Sequence, residues 1–129
     1  MLRNMQPPLG PDDWILDLST AYGPFTGLYQ WMQSRYGVQT LTVPIVFPVT
    51  GPESFIEPLR VVLAANSSTL NIRVAVISHI SAYPSVVLPV AELVQLLHSY
   101  GIYVIVDGAH VPGMSISNQQ ISFSFKISE

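Results

Sequence analysis

Residues 73–77 read RVAVI and residues 102–106 read IYVIV, and these two apolar runs decide the fold. Both are rich in β-branched residues, which is typical of buried strands. The second run is continuously apolar, as expected for a strand covered on both faces. Between the runs, apolar residues recur at helical spacing from Val90 to Leu97, and Gly101 then ends the predicted helix. A strand, a helix and a second strand in this order indicate two parallel strands joined by a crossover helix.

The same alternation of strand and helix extends toward the amino terminus. Gly37 is the natural stop of the first helix, and Pro44 predicts an edge position or a kink in the second strand. Thr50 or Gly51 is the expected cap of the second helix, and Pro58 predicts a kink within it. The predicted strands lie at 14–18, 39–47, 73–77 and 102–106, and the predicted helices at 25–36, 50–65 and 89–100. This order favours an α/β fold with a mainly parallel sheet and flanking helices.

The two ends of the chain differ from this central part. Residues 1–13 carry three prolines and a glycine in quick succession, which predicts an extended lead-in. Residues 115–129, SISNQQISFSFKISE, are polar and Ser-rich and show no helical periodicity. They favour one edge strand or no stable structure. The predicted organisation is therefore a lead-in at 1–13, one domain at 14–114 and a divergent polar tail at 115–129.

The composition is unusually poor in charge. Of the 129 residues, 49% are hydrophobic and 10% are charged, whereas soluble domains carry about 25% charged residues. We therefore expect that the chain is covered by further protein. Five Lys and Arg residues against eight acids give a net charge of −3, which argues against a nucleic-acid-binding surface. The apolar content also argues against disorder.

Targeting signals and cysteine chemistry are equally limited. No run reaches the roughly 18 apolar residues of a membrane-spanning helix, so we expect no membrane partner. The chain has no cysteine, which rules out a disulfide or a thiolate metal site in it. The amino-terminal residues lack the apolar segment of a secretory signal. These features together predict a cytoplasmic protein.

Candidate functional residues follow the ends of two predicted strands, where open parallel sheets bind ligands. Asp107 stands directly after IYVIV and is followed by Gly108, Ala109 and His110, while His79 and Ser81 follow the RVAVI strand. An acid at such a position either caps the next turn or faces a cation in a ligand. A lone histidine is more often exposed or structurally satisfied, and we expect His98 to lie on the surface.

Two other chemistries fit these residue types less well. His79, His110 and Asp107 have no spacing typical of a metal site, so we predict no metal centre. Ser78, His79 and Asp107 contain the residue types of a hydrolase triad, but the chain has no G-x-S-x-G and adjacent Ser and His are poorly placed to hydrogen-bond in that way. The glycines of AYGPFTG match neither the dinucleotide-binding nor the P-loop spacing.

The run SHISAYPSVVLPVAELVQLLHSYGIYVIVDGAHVPG at 78–113 resembles the class V aminotransferase family of pyridoxal-phosphate (PLP) enzymes, in particular its isopenicillin N epimerase-like branch, which is distantly related to cysteine desulfurases. WILDLSTAYGPFTGLYQWMQSRYGV at 14–38 resembles the strand and helix that precede this run in that branch. The similar region spans about residues 11–114. It implies the α/β large domain of a PLP enzyme, present in part, with an amino acid as substrate.

The resemblance also implies roles for individual residues. Asp107 would pair with the protonated pyridine nitrogen of PLP and keep the ring an electron sink. His110 would lie near the phenolic oxygen of the cofactor, and Tyr22 would stack on the ring. Relatives place a polar residue where this chain has Ala82, so Ser81 is the candidate for that contact. We therefore expect Asp107, His110, Tyr22 and Ser81 to be the cofactor-binding residues.

Departures from the family pattern bear on activity. The phosphate-binding loop and the His-Lys pair of relatives have no counterpart here, and Lys126 matches neither in position nor in context. We therefore expect no transaminase, epimerase or lyase turnover by this chain alone. Two alternatives stay open beside a piece of a PLP enzyme. One is a non-catalytic partner that forms homo- or hetero-oligomers with longer relatives, and the other is a truncated product without function.

Overall fold

The computed structural model of the chain describes residues 2, 5–21, 23–81 and 84–108. The strands are β1 (Asp13–Leu18), β2 (Gln39–Val43), β3 (Asn71–Ser78) and β4 (Tyr103–Asp107), and the helices are α1 (Gly23–Tyr36), α2 (Glu53–Asn66) and α3 (Val90–Ser99). They alternate along the chain, and the strands form one parallel sheet in the order β2-β1-β3-β4. The predicted α/β fold with a parallel sheet and flanking helices is confirmed.

The helices lie on opposite faces of this sheet. Leu59 of α2 and Leu93 of α3 belong to the larger core cluster, together with Leu16 and Ile77 from the sheet. Tyr29 and Met32 of α1 belong to the smaller core cluster, whose other buried members are Leu2, Leu9, Ile15, Val38, Val74 and Val76. Because neighbouring residues of a strand face opposite sides, each central strand supplies both clusters. The order of the strands reverses between β1 and β3, and the helix that follows β1 lies on the face opposite to the other two.

Two glycines end helices as the sequence predicts. Gly37 follows α1 with φ of 77°, and Gly101 follows α3 with φ of 73°. This left-handed backbone is costly for residues that carry a Cβ. At Gly37 an added Cβ would also lie 3.1 Å from Cγ of Pro11. The lead-in therefore packs tightly against the end of α1.

The bounds of β2 and α2 differ from the predicted ones for local reasons. Among the described strands, β2 lies at an edge of the sheet, as Pro44 indicates, and it ends at Val43 because proline cannot donate to the ladder. Pro52 occupies the cap position of α2 without a side-chain cap, so the predicted caps are wrong. The backbone N–H of Thr50 instead donates to the Ser54 hydroxyl at 3.0 Å.

β4 is less covered than its sequence predicts. Each of its residues is half-buried, and within the described part of the chain it pairs with β3 alone. The continuous apolar sequence of β4 is suited to a strand that is buried on both faces, but the described helices and strands bury β4 only in part. Tyr36, the aromatic residue that ends α1, is likewise exposed.

The lead-in is attached to the amino-terminal ends of the central strands. Asp13 accepts hydrogen bonds from Asn71 at 2.7 Å and from Arg73 at 3.1 Å, and Arg73 also donates to the carbonyl of Pro7 at 2.9 Å. Leu9 is buried in the smaller core cluster. None of the described helices is long and apolar enough to cross a membrane.

Candidate functional site

Asp107 is the last residue of β4 and lies beside the end of β3. In register it faces Ser78, and its backbone carbonyl accepts a hydrogen bond from the His79 N–H at 2.9 Å. The backbone of Asp107 is thus fixed at the carboxyl end of the sheet, where open parallel sheets bind ligands. This is the position that the sequence predicts.

The alternation of side chains gives Asp107 a definite face. Tyr103 and Ile105 of β4 pack against the smaller core cluster, and Asp107 is the next residue in that alternate series. On β1, Ile15 belongs to the same cluster, so Asp17 projects to the same face. Both carboxyl groups therefore lie on the face that α1 covers.

Asp17 was not singled out by the sequence reasoning. Only 5% of its surface is exposed, and within the described residues its Oδ1 has no hydrogen-bond partner. Burial raises the pKa of Asp17, opposed by hydrogen bonds from the Thr42 side chain and from the backbone N–H of Asp17 itself. Thr42 is its register neighbour on β2. The available signal was an acid inside the apolar run WILDL.

Tyr29 of α1 is the second polar group buried on this face. It is 4% exposed, and its hydroxyl also has no hydrogen-bond partner among the described residues. Burial raises the pKa of Tyr29 strongly, and the negative charges of Asp17 and Asp107 raise it further. The phenol is therefore a proton donor at neutral pH, within electrostatic reach of both carboxyl groups. Its sequence signal was weak, because an aromatic residue in a helical stripe usually indicates core packing.

The Ser81 hydroxyl is engaged by its own loop. It donates to the carbonyl of Pro84 and accepts from the Val86 N–H at 3.0 Å. The loop also contains an isolated antiparallel bridge between Ile80 and Val87, and Ser81 is fully buried within it. The structure thus gives Ser81 a structural role after β3, and its predicted contact with a cofactor stays a prediction.

Tyr22 and His110 lie outside the described residues, so their predicted roles stay predictions as well. The segment that leads to Tyr22 is fixed up to Ala21. The Ser19 hydroxyl accepts from the Ile45 N–H at 2.8 Å, and the Ala21 N–H donates to the Leu18 carbonyl at 2.9 Å. His79 is half-buried beside Asp107, and His98 is exposed as predicted.

The described residues contain no cluster of side chains that could bind a metal ion. No group of three or more His, Cys, Asp or Glu side chains there is arranged to hold a metal ion. The Asp107 carboxyl group, half-buried at the carboxyl end of β4, instead favours a ligand with a positively charged, hydrogen-bonding group. The ring nitrogen of PLP, when protonated, is such a group.

No protein-family model matches the chain. An L-cysteine desulfhydrase of Arabidopsis thaliana is 32% identical to it over 122 residues, or 91% of this chain. The chain resembles L-cysteine desulfhydrases. Two Oryza sativa subsp. japonica proteins that carry this name are 37% and 39% identical over 78% and 62% of the chain.

The similarity covers only a small part of these relatives. The chain spans 21% and 17% of the length of the two rice proteins and 26% of the Arabidopsis thaliana desulfhydrase. A further Arabidopsis thaliana relative, 30% identical over 88% of the chain, is named as chloroplastic. The relatives are thus desulfhydrases, whereas the predicted isopenicillin N epimerase-like branch stays a prediction.

Solved structures confirm the fold of this chain, which matches about a quarter of each of them. The cysteine desulfurase CsdA of Escherichia coli matches 81% of the chain with a TM-score of 0.62 and 18% identity, over 24% of its own length. A variant of C-DES with glycine covalently linked to its PLP cofactor matches 78% of the chain with a TM-score of 0.63 and 21% identity, over 26% of its length. The four-stranded sheet and its helices therefore have the fold of part of such enzymes.

Proposed function

We propose that this chain forms the ring-nitrogen side of a PLP site in an enzyme that cleaves the C–S bond of cysteine. The observation that carries the proposal is the position of Asp107, fixed at the carboxyl end of β4 beside β3. The match to the Arabidopsis thaliana desulfhydrase supports it, because a match over 91% of the chain includes this residue. An acid at the end of a strand also fits a cationic nitrogen better than an apolar ligand.

Each candidate residue has a distinct task in this proposal. Asp107 binds the protonated ring nitrogen and keeps it charged. Tyr22 stacks on the ring, and His110 binds its phenolic oxygen. Ser81 reaches the same oxygen only if its hydroxyl releases the Pro84 carbonyl to which it donates. Bound PLP supplies an electron sink for the substrate, while these residues orient the ring and hold the proton at its nitrogen. The covalent attachment of PLP and the binding of its phosphate require groups that the family resemblance does not find in this chain.

The proposal implies that the chain alone does not turn over cysteine. Purified chain with added PLP and L-cysteine should release no sulfide above a protein-free control, as measured by methylene-blue formation. Sulfide release that depends on the chain would contradict this expectation. The same outcome would also show that the groups for attachment and phosphate binding are dispensable.

Binding is the direct test of the site. Asp107→Asn should weaken binding of PLP to the chain, as followed by cofactor absorbance, because the amide cannot neutralise a ring cation. Asp12→Asn is the matched control, since Asp12 is an exposed acid next to the amino-terminal end of β1. An equal dissociation constant for both variants and the unaltered chain would remove Asp107 from the site.

A non-catalytic partner role is the second candidate, and exposed apolar side chains favour it. Val46, Val61 and Val87 are 77%, 63% and 64% exposed, and the chain carries few charges that would keep such a surface solvated. The proposed partner is a longer relative or a second copy of this chain. Co-purification with a longer homologue supports this role, whereas a stable monomer that ignores such a homologue contradicts it.

The proposed function also includes the cellular compartment in which the chain is found. We propose a cytoplasmic location, because a chain without cysteine suits a reducing compartment. Because one relative is named as chloroplastic, the test is the location of a fluorescent fusion of the chain in cells of its source. Fluorescence confined to an organelle would refute the proposed location.

A further inference from the structure

One side of β4 forms an open edge of the sheet among the described residues. The strand pairs with β3 on its other side, and no described strand pairs with it here. Each of its residues is only half-buried, although its sequence is apolar up to Asp107. The strand contains no proline or positively charged residue, which are common protections of an exposed edge. An apolar edge strand of this kind is suited to pair with a further strand.

The hydrogen bonding of Asp107 shows which backbone groups of β4 point to the open edge. The carbonyl of Asp107 accepts from the His79 N–H at 2.9 Å, so it points toward β3. Successive residues of a strand direct their backbone N–H and C=O groups to alternate sides. Asp107 and the residues two and four positions before it therefore direct these groups toward β3. Val104 and Val106 direct theirs to the open edge, where they are available to a partner strand.

We propose that the open edge of β4 pairs antiparallel with β4 of a second copy of this chain, with Ile105 facing Ile105 across a twofold axis. In this register Val104 of each copy faces Val106 of the other, and each such pair exchanges two hydrogen bonds. Every backbone group that β4 directs to the open edge then has a partner. The side chains at position 105 lie at a pair without hydrogen bonds, where strands bring opposing side chains closest together.

The sequence of β4 is complementary to itself in this direction. β-Branched side chains face β-branched side chains, and the Asp107 carboxyl group faces the Tyr103 phenol. Parallel pairing in register would instead place Asp107 opposite Asp107, and like charges directly opposite each other are destabilising. The twofold axis also preserves the faces of the sheet, since Tyr103 stays on the side of the smaller core cluster and Val104 on that of the larger. Such an interface closes at a dimer, so the charges and the faces favour a second copy.

This inference rests on the partner role proposed above, for which it names the surface and the partner, and it is independent of the cofactor site. Analytical ultracentrifugation of the full chain should show a dimer that dissociates on dilution. A chain that is monomeric at every concentration overturns the proposal.

Amide hydrogen exchange followed by NMR tests the pairing in the unaltered chain. The amides of Val104 and Val106 should exchange more slowly at concentrations above the dissociation constant of the dimer than below it. The Ile105 amide serves β3 in both states and is the internal control. If Val104 and Val106 are equally protected at both concentrations, another part of the same chain covers the edge. If neither is protected in the dimer, the copies meet elsewhere, and either result overturns the proposal.

The register is tested by charges at the twofold axis. Ile105→Lys and Ile105→Glu each place like charges opposite each other, so each variant alone should sediment as a monomer. An equimolar mixture should form dimers, because opposite charges then face each other, and this recovery also shows that both variants are folded. Thr40→Lys, on the other edge strand β2, is the matched control and should leave the dimer intact. Dimers of either variant alone would overturn the register.

Val106→Pro tests the backbone pairing without a change of charge. Proline removes an N–H that points to the open edge and leaves the hydrogen bonds to β3 in place, a position where edge strands tolerate it. By symmetry the dimer loses one hydrogen bond from each copy, so its dissociation constant should rise about tenfold or more. Thermal unfolding shows whether the variant is folded. An unchanged dissociation constant would show that these bonds are not formed.

The outcomes separate this proposal from those above. If a dimer forms but ignores the changes at Ile105 and Val106, the pairing of β4 is wrong and the partner role stands on another surface. If the chain is a monomer, co-purification with a longer homologue decides the partner role alone. The binding of PLP to Asp107→Asn tests the cofactor site in either case.

Discussion

Three glycine-to-alanine substitutions would test how the lead-in is held against α1. Gly37 and Gly101 have φ of 77° and 73°, and a side chain in this left-handed backbone costs about 1–2 kcal/mol. Alanine also restricts the unfolded chain, which offsets about 0.4–1 kcal/mol of that cost. At Gly101 nothing lies within 4 Å of an added Cβ. Gly101→Ala should therefore lower the free energy of unfolding by about 1 kcal/mol, and by about 1.6 kcal/mol at most.

Gly37→Ala should cost clearly more, because its Cβ would meet three atoms of Pro11. The distances are 3.1 Å to Cγ, 3.2 Å to Cβ and 3.3 Å to the backbone Cα, so relief requires movement of the lead-in backbone. Overpacking of this kind adds about 1–3 kcal/mol. Gly27→Ala is the opposite control, since Gly27 lies within α1 with open space around it and alanine favours helix by about 0.5–1 kcal/mol.

Urea unfolding followed by tryptophan fluorescence measures all three variants. The expected order of stability is Gly27→Ala above the unaltered chain, then Gly101→Ala, then Gly37→Ala. Adding Pro11→Ala to Gly37→Ala should recover part of the loss, as a double-mutant cycle shows. Equal losses at Gly37 and Gly101 would refute the close packing of the lead-in against the end of α1.

Three further predictions concern the buried acid, the core and the lead-in. Asp17→Asn should gain stability relative to the unaltered chain as the pH rises. Because burial raises the pKa of Asp17, the stability that its neutral form contributes is fully present below the ordinary value of 3.8 and is lost as pH rises through the raised value. Urea unfolding of both proteins at pH 5 and pH 7 measures the difference in their free energies of unfolding. A difference that is the same at both pH values contradicts the prediction. Leu97→Ala should lower the free energy of unfolding by about 2–5 kcal/mol, since Leu97 is fully buried, and a loss below 1 kcal/mol would show that α3 is loosely packed. Arg73→Met should release the lead-in, seen as faster amide exchange at Gly10 and Asp13, because it removes the bonds to Asp13 and Pro7; unchanged exchange would count against that attachment.

The sequence was sufficient for the elements but not for their order in the sheet. Apolar periodicity and the stops at Gly37 and Gly101 report local structure, and each of the seven elements is where a local rule places it. The position of β1 between β2 and β3 depends on pairing between distant residues, which periodicity does not encode. For the same reason the apolar run of β4 predicted burial on both faces, whereas the described elements leave the strand at an edge.

Some residues of the candidate site could be predicted from local sequence, and others could not. Asp107 could be found because an acid directly after a buried strand is a local signal. The association of Asp17 with Tyr29 could not, since the two are joined only by the sheet register and the packing of α1. The contact of Ser81 with a ligand stays a prediction from the family motif, and the structure adds that its hydroxyl bonds the backbone of its own loop.

The division of the helices between the two faces has a practical consequence for engineering. The carboxyl and phenol groups of the site lie on the α1 side, while α2 and α3 pack against the other side of the sheet. Because the ligand site is proposed on the α1 side, stabilising substitutions can be sought in the α2 and α3 layer with little risk to that site. Changes in α1 will alter both properties together, so a library meant to separate stability from affinity should keep α1 constant.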